Sequence, residues 1–139
     1  MKQSSTEFRI STPGRTMIDF TSQVTGWVRD SGIREGVLTL HVRHTSASLL
    51  IQENADPEVQ RDMERFMTRL IPDGDPMLRH IAEGEDDMPA HIRSAVTATS
   101  LSIPVAAGAP CLGTWQGIYL YEHRTRRHNR RVAAHLIGE

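Results

Sequence analysis

The chain has 139 residues, a formal net charge of −1, 38% hydrophobic residues and 24% charged residues. These values fit one globular domain over residues 1–139 and exclude a disordered chain, and no apolar run reaches the roughly 20 residues of a membrane span. The near-zero net charge provides no overall field for nucleic acid, so we expect neither a nucleic-acid nor a membrane partner.

The first two predicted elements are a strand and a helix. Residues 7–11 predict the strand. Apolar residues then recur at helical spacing between the candidate N-caps Thr21 and Ser22 and a stop at Gly32.

From residue 36 the apolar pattern changes to a period of two, which predicts a strand. One face of this strand carries Leu38, Leu40, Val42 and His44. We therefore expect His44 to be at least partly buried, and a buried imidazole needs either a hydrogen-bond partner in the protein or a metal ion. The pattern alone leaves both interpretations open.

A further strand and a second helix follow. Residues 46–51 predict a strand that pairs with the preceding one or continues it. Asp56 is the expected N-cap of the helix, Pro57 its first residue and Pro72 its stop. The apolar stripe that we expect this helix to bury is Val59, Met63, Phe66, Met67 and Leu70.

The segment from residue 80 to residue 87 is strongly acidic and begins with His80. Pro89 then predicts the first position of a third helix, with His91 in its first turn. There the helix dipole favours the neutral imidazole, which is the form that binds metals. The expected inner face of this helix consists of Ile92, Ala95 and Val96.

The last third of the chain is rich in predicted strands, at residues 101–105, at residues 112–123 and in a final alternating segment from Val132 to Leu136. We expect Trp115 to pack in the core. Strands that pair across distant segments, with helices between the early ones, imply an α+β fold. It should have a mainly antiparallel, sandwich-like sheet and two or three helices.

Five arginines lie close together near the C-terminus. They form either a solvated rim or a patch that binds phosphate, and the sequence leaves both open. The five are Arg124, Arg126, Arg127, Arg130 and Arg131.

The N-terminal residues and the cysteine content favour the cytoplasm. Residues 1–5 lack the apolar stretch of a signal peptide. Cys111 is the only cysteine, so no intrachain disulfide can form, which is typical of a reducing compartment. We therefore expect a cytoplasmic protein.

Four motifs carry a resemblance to a known family, and they occur at residues 44–49, 53–57, 83–92 and 113–118. With these motifs the chain resembles the YjbQ-like family, also called the secondary thiamine-phosphate synthase family. The resemblance implies a compact α+β fold, a homotrimer and a polar, histidine-bearing pocket that binds metal. It also implies a weak activity that joins hydroxymethylpyrimidine diphosphate to a thiazole phosphate and releases pyrophosphate.

The predicted metal ligands are His44, His80 and His91, which we expect to converge on one centre, as in catalytic zinc sites. Three histidines suit Zn²⁺ better than Mg²⁺. Glu53, Asp56 and Asp87 are the expected catalytic carboxylates. If the ion is Mg²⁺ instead of Zn²⁺, carboxylate oxygens of this kind would hold it.

The predicted ligand is a phosphorylated small molecule. Hydroxyls and a guanidinium suit phosphate oxygens, so the residues expected to bind the substrate are Thr45, Ser46, Ser48, Thr114 and Arg124. Three functions remain open: the synthase reaction, metal-dependent hydrolysis with Glu53 as a base, and a trimer that binds metal or a small ligand without catalysis.

Overall fold

Eight strands and three helices make up the computed structural model of the chain, which describes residues 1–139. The strands are β1 (Lys2–Thr12), β2 (Thr16–Asp19), β3 (Gly36–Val42), β4 (Ala47–Glu53), β5 (Ser100–Ala106), β6 (Ala109–Pro110), β7 (Gln116–Glu122) and β8 (His128–Gly138). The helices are α1 (Thr21–Ser31), α2 (Pro57–Leu70) and α3 (Asp87–Val96). The predicted α+β class is confirmed.

The strands form two antiparallel sheets. One has five strands in the order β1-β8-β3-β5-β6, and the other has three in the order β2-β7-β4. The prediction that residues 46–51 pair with or continue the preceding strand is wrong, because β4 pairs with β7 while β3 lies in the other sheet. The side-chain period reports which face is buried and carries no information about which strand is the partner.

The main core lies between the two sheets and α1 and consists of 17 buried apolar residues. The alternation predicted for β3 is confirmed, because Leu38, Leu40 and Val42 are at most 2% exposed while Val37 is 46% exposed. From α1, Val24 and Val28 complete the same core.

The ends of α1 and α2 follow the expected residue chemistry only in part. Gly32 ends α1 in the left-handed conformation, with φ of 75°, as predicted. Neither Thr21 nor Ser22 caps α1, because the N-cap position is held by Phe20 and no side chain caps the helix. The hydroxyl of Thr21 instead donates to Asp19 Oδ1 at 2.6 Å. Asp56 caps α2 as predicted, since its side chain accepts from the amide of Glu58 at 2.9 Å.

Helix α2 buries only part of the face that its apolar residues predict, and α3 buries a different one. Of the stripe on α2, Met67 is buried and Val59 and Met63 are half-buried, whereas Phe66 and Leu70 are 54% and 59% exposed. Helix α3 begins at Asp87, two residues before the predicted start, and Val96 is 61% exposed. The residues that α3 buries are Asp87, Pro89, Ala90, Arg93 and Ser94.

Polar anchors explain the orientation of α3. The guanidinium of Arg93, which is fully buried, pairs with Glu64 at 2.8 Å, and Ser94 Oγ donates to the carbonyl of Ala47 at 3.0 Å. These contacts hold two polar side chains inward at positions where an apolar pattern would place them outside. Trp115, expected in the core, is 63% exposed.

None of the three helices combines the length and the apolar character that crossing a membrane requires.

Candidate metal centre

Three potential metal ligands converge at the start of α3: His80, Asp87 and His91. One ligand atom from each residue lies within 4.8 Å of those of the other two. Asp87 Oδ2 is 2.7 Å from His80 Nε2 and 3.3 Å from His91 Nε2. The three side chains therefore face one point.

Helix geometry and the preceding loop bring these residues together. Asp87 and His91 are four residues apart on α3, so they lie on the same side of the helix, one turn apart. His80 belongs to the acidic segment before the helix, and its ring centroid lies 5.5 Å from that of His91. One ligand comes from a loop and two come from a rigid element.

The cluster has a buried base and an open mouth. The side chain of Asp87 is 2% exposed, whereas those of His80 and His91 are 49% and 31% exposed. Solvent and small ligands can therefore reach the imidazoles, while the carboxylate is held within the protein.

A carbonyl group orients His91. Its Nδ1 lies 3.0 Å from the backbone oxygen of Thr45, which can only accept a hydrogen bond. We assign the proton to Nδ1 on this basis, and the lone pair of the neutral ring then lies on Nε2, toward Asp87. A backbone acceptor that fixes the tautomer in this way is common behind histidines that bind metals.

Arg124 holds the carboxylate of Asp87 from the opposite side. Its Nη1 donates to Asp87 Oδ1 at 2.8 Å, so Oδ2 remains for the two histidines. Burial raises the pKa of Asp87, but the hydrogen bond from His80 and the charge of Arg124 lower it by more. The net effect is a pKa below the ordinary value, and Asp87 is ionised at neutral pH.

The same arginine anchors the acidic segment. Arg124 Nε donates to Asp86 Oδ2 at 2.9 Å, and Arg124 Nη2 donates to the carbonyl of Glu83 at 2.9 Å. Burial raises the pKa of Asp86, yet the hydrogen bonds from Arg124 and Thr125 outweigh it and lower the pKa to about 2. Two adjacent carboxylates are thus kept ionised by one guanidinium.

A second arginine holds the beginning of the loop between α2 and α3, which carries His80. Arg15 donates to both oxygens of Asp73, at 2.8 and 2.9 Å, and its Nε donates to the carbonyl of His123 at 2.9 Å. The loop that carries His80 is therefore tied at both of its ends to the segments that follow β1 and β7.

His44 does not join the cluster within the chain. Its Nε2 accepts a hydrogen bond from the amide of Arg131 at 2.8 Å, which is the hydrogen-bonded alternative for a half-buried imidazole. Burial, then the charges of Arg130 and Arg131, lower the pKa of His44. Within one chain the converging ligands are therefore two histidines and Asp87, and the spacing of Asp87 and His91 was the signal for them. A part for His44 in a site shared between chains stays a prediction.

Most residues expected to bind phosphate already have partners. Ser46 Oγ accepts from Arg130 Nη2 at 3.0 Å, and Ser48 Oγ lies 2.8 Å from Nε2 of the buried His123. Arg124 is 8% exposed and pairs with two carboxylates, so its charge is already matched. Thr45 differs, because its side chain is exposed and its carbonyl contacts His91.

Glu53, Asp56 and Thr114 lie away from the cluster. Thr45 precedes the first residue of β4, whereas Glu53 is its last residue and Thr114 lies just before its partner Gln116 on β7. At about 3.3 Å per residue, the two ends of β4 are about 20 Å apart. Within one chain, the predicted site residues therefore form two groups.

The donors of the cluster suit a divalent transition metal. Two imidazole nitrogens and one carboxylate oxygen are ordinary ligands of Zn²⁺ and of similar ions, whereas Mg²⁺ prefers oxygen alone. Catalytic zinc sites use three protein ligands and keep a further position open, which fits the exposed mouth of this cluster.

Sequence comparison relates the whole chain to one family. The profile of the family described as UPF0047 protein YjbQ-like matches residues 6–139. A UPF0047 protein of Synechocystis sp. is 52% identical over 130 residues, which are 94% of this chain and 88% of that protein. The UPF0047 protein YjbQ of Escherichia coli O157:H7 is 52% identical over 104 residues, which are 75% of each chain.

Solved structures give the same result. A hypothetical protein from Aeropyrum pernix K1 superposes with a TM-score of 0.86 at 29% identity, and the match covers 100% of both chains. A YjbQ/UPF0047-family protein from Clostridium acetobutylicum superposes with a TM-score of 0.82 at 32% identity, covering 95% of this chain and 99% of that one.

Proposed function

The chain belongs to the UPF0047 YjbQ-like family, and from this premise we propose that it is a metal-dependent hydrolase of a phosphorylated small molecule. The proposed metal ligands are His80, Asp87 and His91. The observation that carries the proposal is the convergence of their ligand atoms within 4.8 Å around a buried, ionised carboxylate.

Each ligand is prepared by a neighbouring group. Asp87 Oδ2 is directed toward the histidines because Arg124 occupies Oδ1. His91 presents Nε2 because the carbonyl of Thr45 engages Nδ1. A divalent ion bound by these atoms would supply positive charge for phosphate oxygens and lower the pKa of a water molecule.

The surroundings make phosphate binding depend on the ion. Glu83 and Glu85 are exposed in the same segment, and the nearest guanidinium, that of Arg124, is engaged by carboxylates. An anionic substrate would be repelled by such a surface unless a cation were bound. The exposed hydroxyl of Thr45 is the neutral donor beside His91 that can orient a phosphate oxygen.

The ligand atoms of the cluster, two imidazole nitrogens and one carboxylate oxygen, favour hydrolysis over the synthase reaction. Imidazole ligands select ions that activate water, whereas charge neutralisation of a departing pyrophosphate is usually performed by Mg²⁺ and free arginines. The synthase activity implied by the resemblance stays a prediction, and it can be assayed together with hydrolysis.

The test uses a His80→Gln variant and a His41→Gln control. His80 is 49% exposed and its side-chain hydrogen bond is to Asp87, so the substitution removes a ligand without opening the core. His41 is an exposed histidine of β3 that is hydrogen-bonded to Ser100, so its substitution also removes one surface imidazole. Zinc, manganese and magnesium are measured in each protein by mass spectrometry after dialysis against the ion.

Each protein is then tested in three assays. The first uses p-nitrophenyl phosphate, the second uses pyrophosphate, and the third uses hydroxymethylpyrimidine diphosphate together with thiazole phosphate. We expect wild type and His41→Gln to retain a transition metal and to release phosphate, and His80→Gln to lose both properties. Condensation without hydrolysis would replace the hydrolase by the synthase. Tight metal binding without any turnover would assign the site to a non-catalytic function.

A further inference from the structure

A second polar groove lies between the end of β1 and the start of β8 and shares no residue with the metal centre. Its volume is about 430 Å³, and its lining residues are Ser11, Thr12, Pro13, Arg127, His128 and Asn129. We propose that this groove is an anion-binding site that holds the phosphate groups of a small polyanion.

The lining excludes an apolar ligand. Apart from the ring of Pro13, every lining side chain carries a polar group. Pockets for drug-like molecules are mostly apolar, with only a few polar groups. A groove lined by hydroxyl, amide, imidazole and guanidinium groups instead suits a compact and strongly hydrated anion.

Arg127 supplies the unmatched positive charge. Its side chain is exposed and forms no salt bridge and no hydrogen bond with the rest of the chain. The carboxylate below the groove belongs to Glu122, which is fully buried and already paired with Arg130. No carboxylate therefore competes with a bound anion for Arg127, and an arginine without a partner can grip two phosphate oxygens at once.

Strand pairing places further donors beside Arg127. Residues Ser11 and Asn129 are opposite each other in the antiparallel pair of β1 and β8, and Ser11 Oγ donates to Asn129 Oδ1 at 2.9 Å. The amide nitrogen of Asn129 consequently keeps its two hydrogens for a ligand. His128 Nδ1 donates to the carbonyl of Arg126 at 2.9 Å, so its Nε2 can donate to an anion only when the ring is protonated.

The five C-terminal arginines differ in exposure and do not act as one patch. Arg124 and Arg130 are buried and bound to carboxylates, so they belong neither to a solvated rim nor to a phosphate patch. Arg127 is the member of the cluster that lines a groove, whereas Arg126 is exposed and lies outside the lining. The site needs no metal ion, so it stands or falls independently of the proposed hydrolase.

The experiment titrates metal-free protein with inorganic pyrophosphate in the presence of a chelator. Binding is followed by backbone amide shifts in NMR spectra and by calorimetry, for wild type and four variants. In Arg127→Gln the groove loses its cation, and in Arg126→Gln the same charge is lost one residue outside the groove. In Asn129→Asp the hydrogen bond from Ser11 is kept while the donor is replaced by a negative charge.

We expect the shifts in wild type to centre on residues 11–13 and 127–129. Arg127→Gln should weaken binding by about tenfold or more, as for a hydrogen bond to a charged group. Asn129→Asp should abolish it, and Arg126→Gln should change it by less than about threefold, as expected for a screened charge. An Asp87→Asn protein should bind pyrophosphate as wild type does.

Three results would overturn the proposal. The first is an absence of binding in wild type. The second is an equal loss in Arg126→Gln and Arg127→Gln, which would indicate a diffuse field instead of a site. The third is a set of shifts centred on His80 and His91, which would assign the anion to the metal centre.

Discussion

Arg124 positions a residue of the candidate metal centre without being one of the three potential metal ligands. It donates to Asp86 and to Asp87, two carboxylates that would repel each other if no cation lay between them. Because both stay ionised, the segment before α3 is anchored and Asp87 keeps one oxygen directed at the histidines. The contacts of Arg124 within the chain are those of a positioning residue, and its contact with phosphate stays a prediction.

We predict that Asp86→Asn destabilises the protein at neutral pH. The pKa of Asp86 falls from 3.8 to about 2 on folding. A shift of this size corresponds to on the order of 2 kcal/mol of the free energy of unfolding at pH 7. Asparagine can keep the geometry, but it lacks the charge that Arg124 pairs with. Urea unfolding of wild type and variant measures the difference.

The pH dependence of this difference follows from the sign of the shift. A folded-state pKa below the ordinary value stabilises the native state above about pH 4, and the contribution is lost as the pH falls toward 2. The difference between Asp86→Asn and wild type should therefore shrink over this window. A difference that persists undiminished at pH 2 would assign the effect of the substitution to packing.

We also predict that His123 remains neutral in the native protein well below the ordinary range of histidine. Burial, reinforced by the charge of Arg93, lowers the pKa of His123 from 6.5 to about 3. Since the unfolded chain takes up a proton first, the free energy of unfolding should fall as the pH drops below 6.5. The limiting slope is about 1.4 kcal/mol per pH unit.

Ring-proton NMR shifts recorded against pH measure this titration directly. A His123→Phe variant, which retains a buried ring, should lose this part of the pH dependence whatever its absolute stability. Titration of the His123 ring near pH 6.5 in the folded protein would contradict the prediction.

At the scale of single elements, the start of α2 separates a structural role from a catalytic one. Asp56 was expected both to cap the helix and to serve as a catalytic carboxylate. Its side chain accepts from the amide of Glu58, and it lies beyond the end of β4 that is remote from the metal centre. The contact observed is that of a cap.

We predict that Asp56→Ala lowers the free energy of unfolding by about 1 kcal/mol, the usual contribution of an N-cap. Asp56→Asn should change stability little, because asparagine caps as well as aspartate. Both variants should equal wild type in the assay of the proposed hydrolase activity, measured in the same preparations. A loss of activity in a stably folded Asp56→Asn protein would restore the catalytic role.

The elements also show how far local patterns predict this fold. The alternation of β3 and the cap of α2 depend on neighbouring residues in the sequence, and both are confirmed. The inner face of α3 is set by contacts of Arg93 and Ser94 with residues at least 25 positions away, so its apolar pattern was misleading. Long-range polar anchoring cannot be read from hydrophobic periodicity.

The candidate site also combines residues that local spacing brings together with residues that only the tertiary fold places. Asp87 and His91 belong to one helix turn, and their spacing alone places them together. The inclusion of His80 and the exclusion of His44 depend on the path of a loop and on the pairing of Arg43 and His44 with β8. These are tertiary features, and the sequence contains no local signal for them.

At the scale of the whole molecule, the outward face of α2 is the feature that the isolated chain does not explain. Phe66 and Leu70 are four residues apart and more than half exposed, so they form one apolar surface on the helix. Burying two such side chains contributes about 1.5–3 kcal/mol each. A contact between copies of the chain would supply that burial, and the family resemblance led us to expect a homotrimer.

We predict that light scattering gives a mass of three chains of 15.6 kDa each at micromolar concentration. A Phe66→Glu, Leu70→Glu double variant should shift the protein toward the mass of one chain, because charges on this face would have to be buried in the contact. Gln23→Glu adds a charge to the exposed side of α1 and serves as the control, with an unchanged mass. A wild-type mass of a single chain would exclude the trimer. A trimer that the double variant leaves intact would move the contact to another surface and leave the exposure of α2 for a different partner.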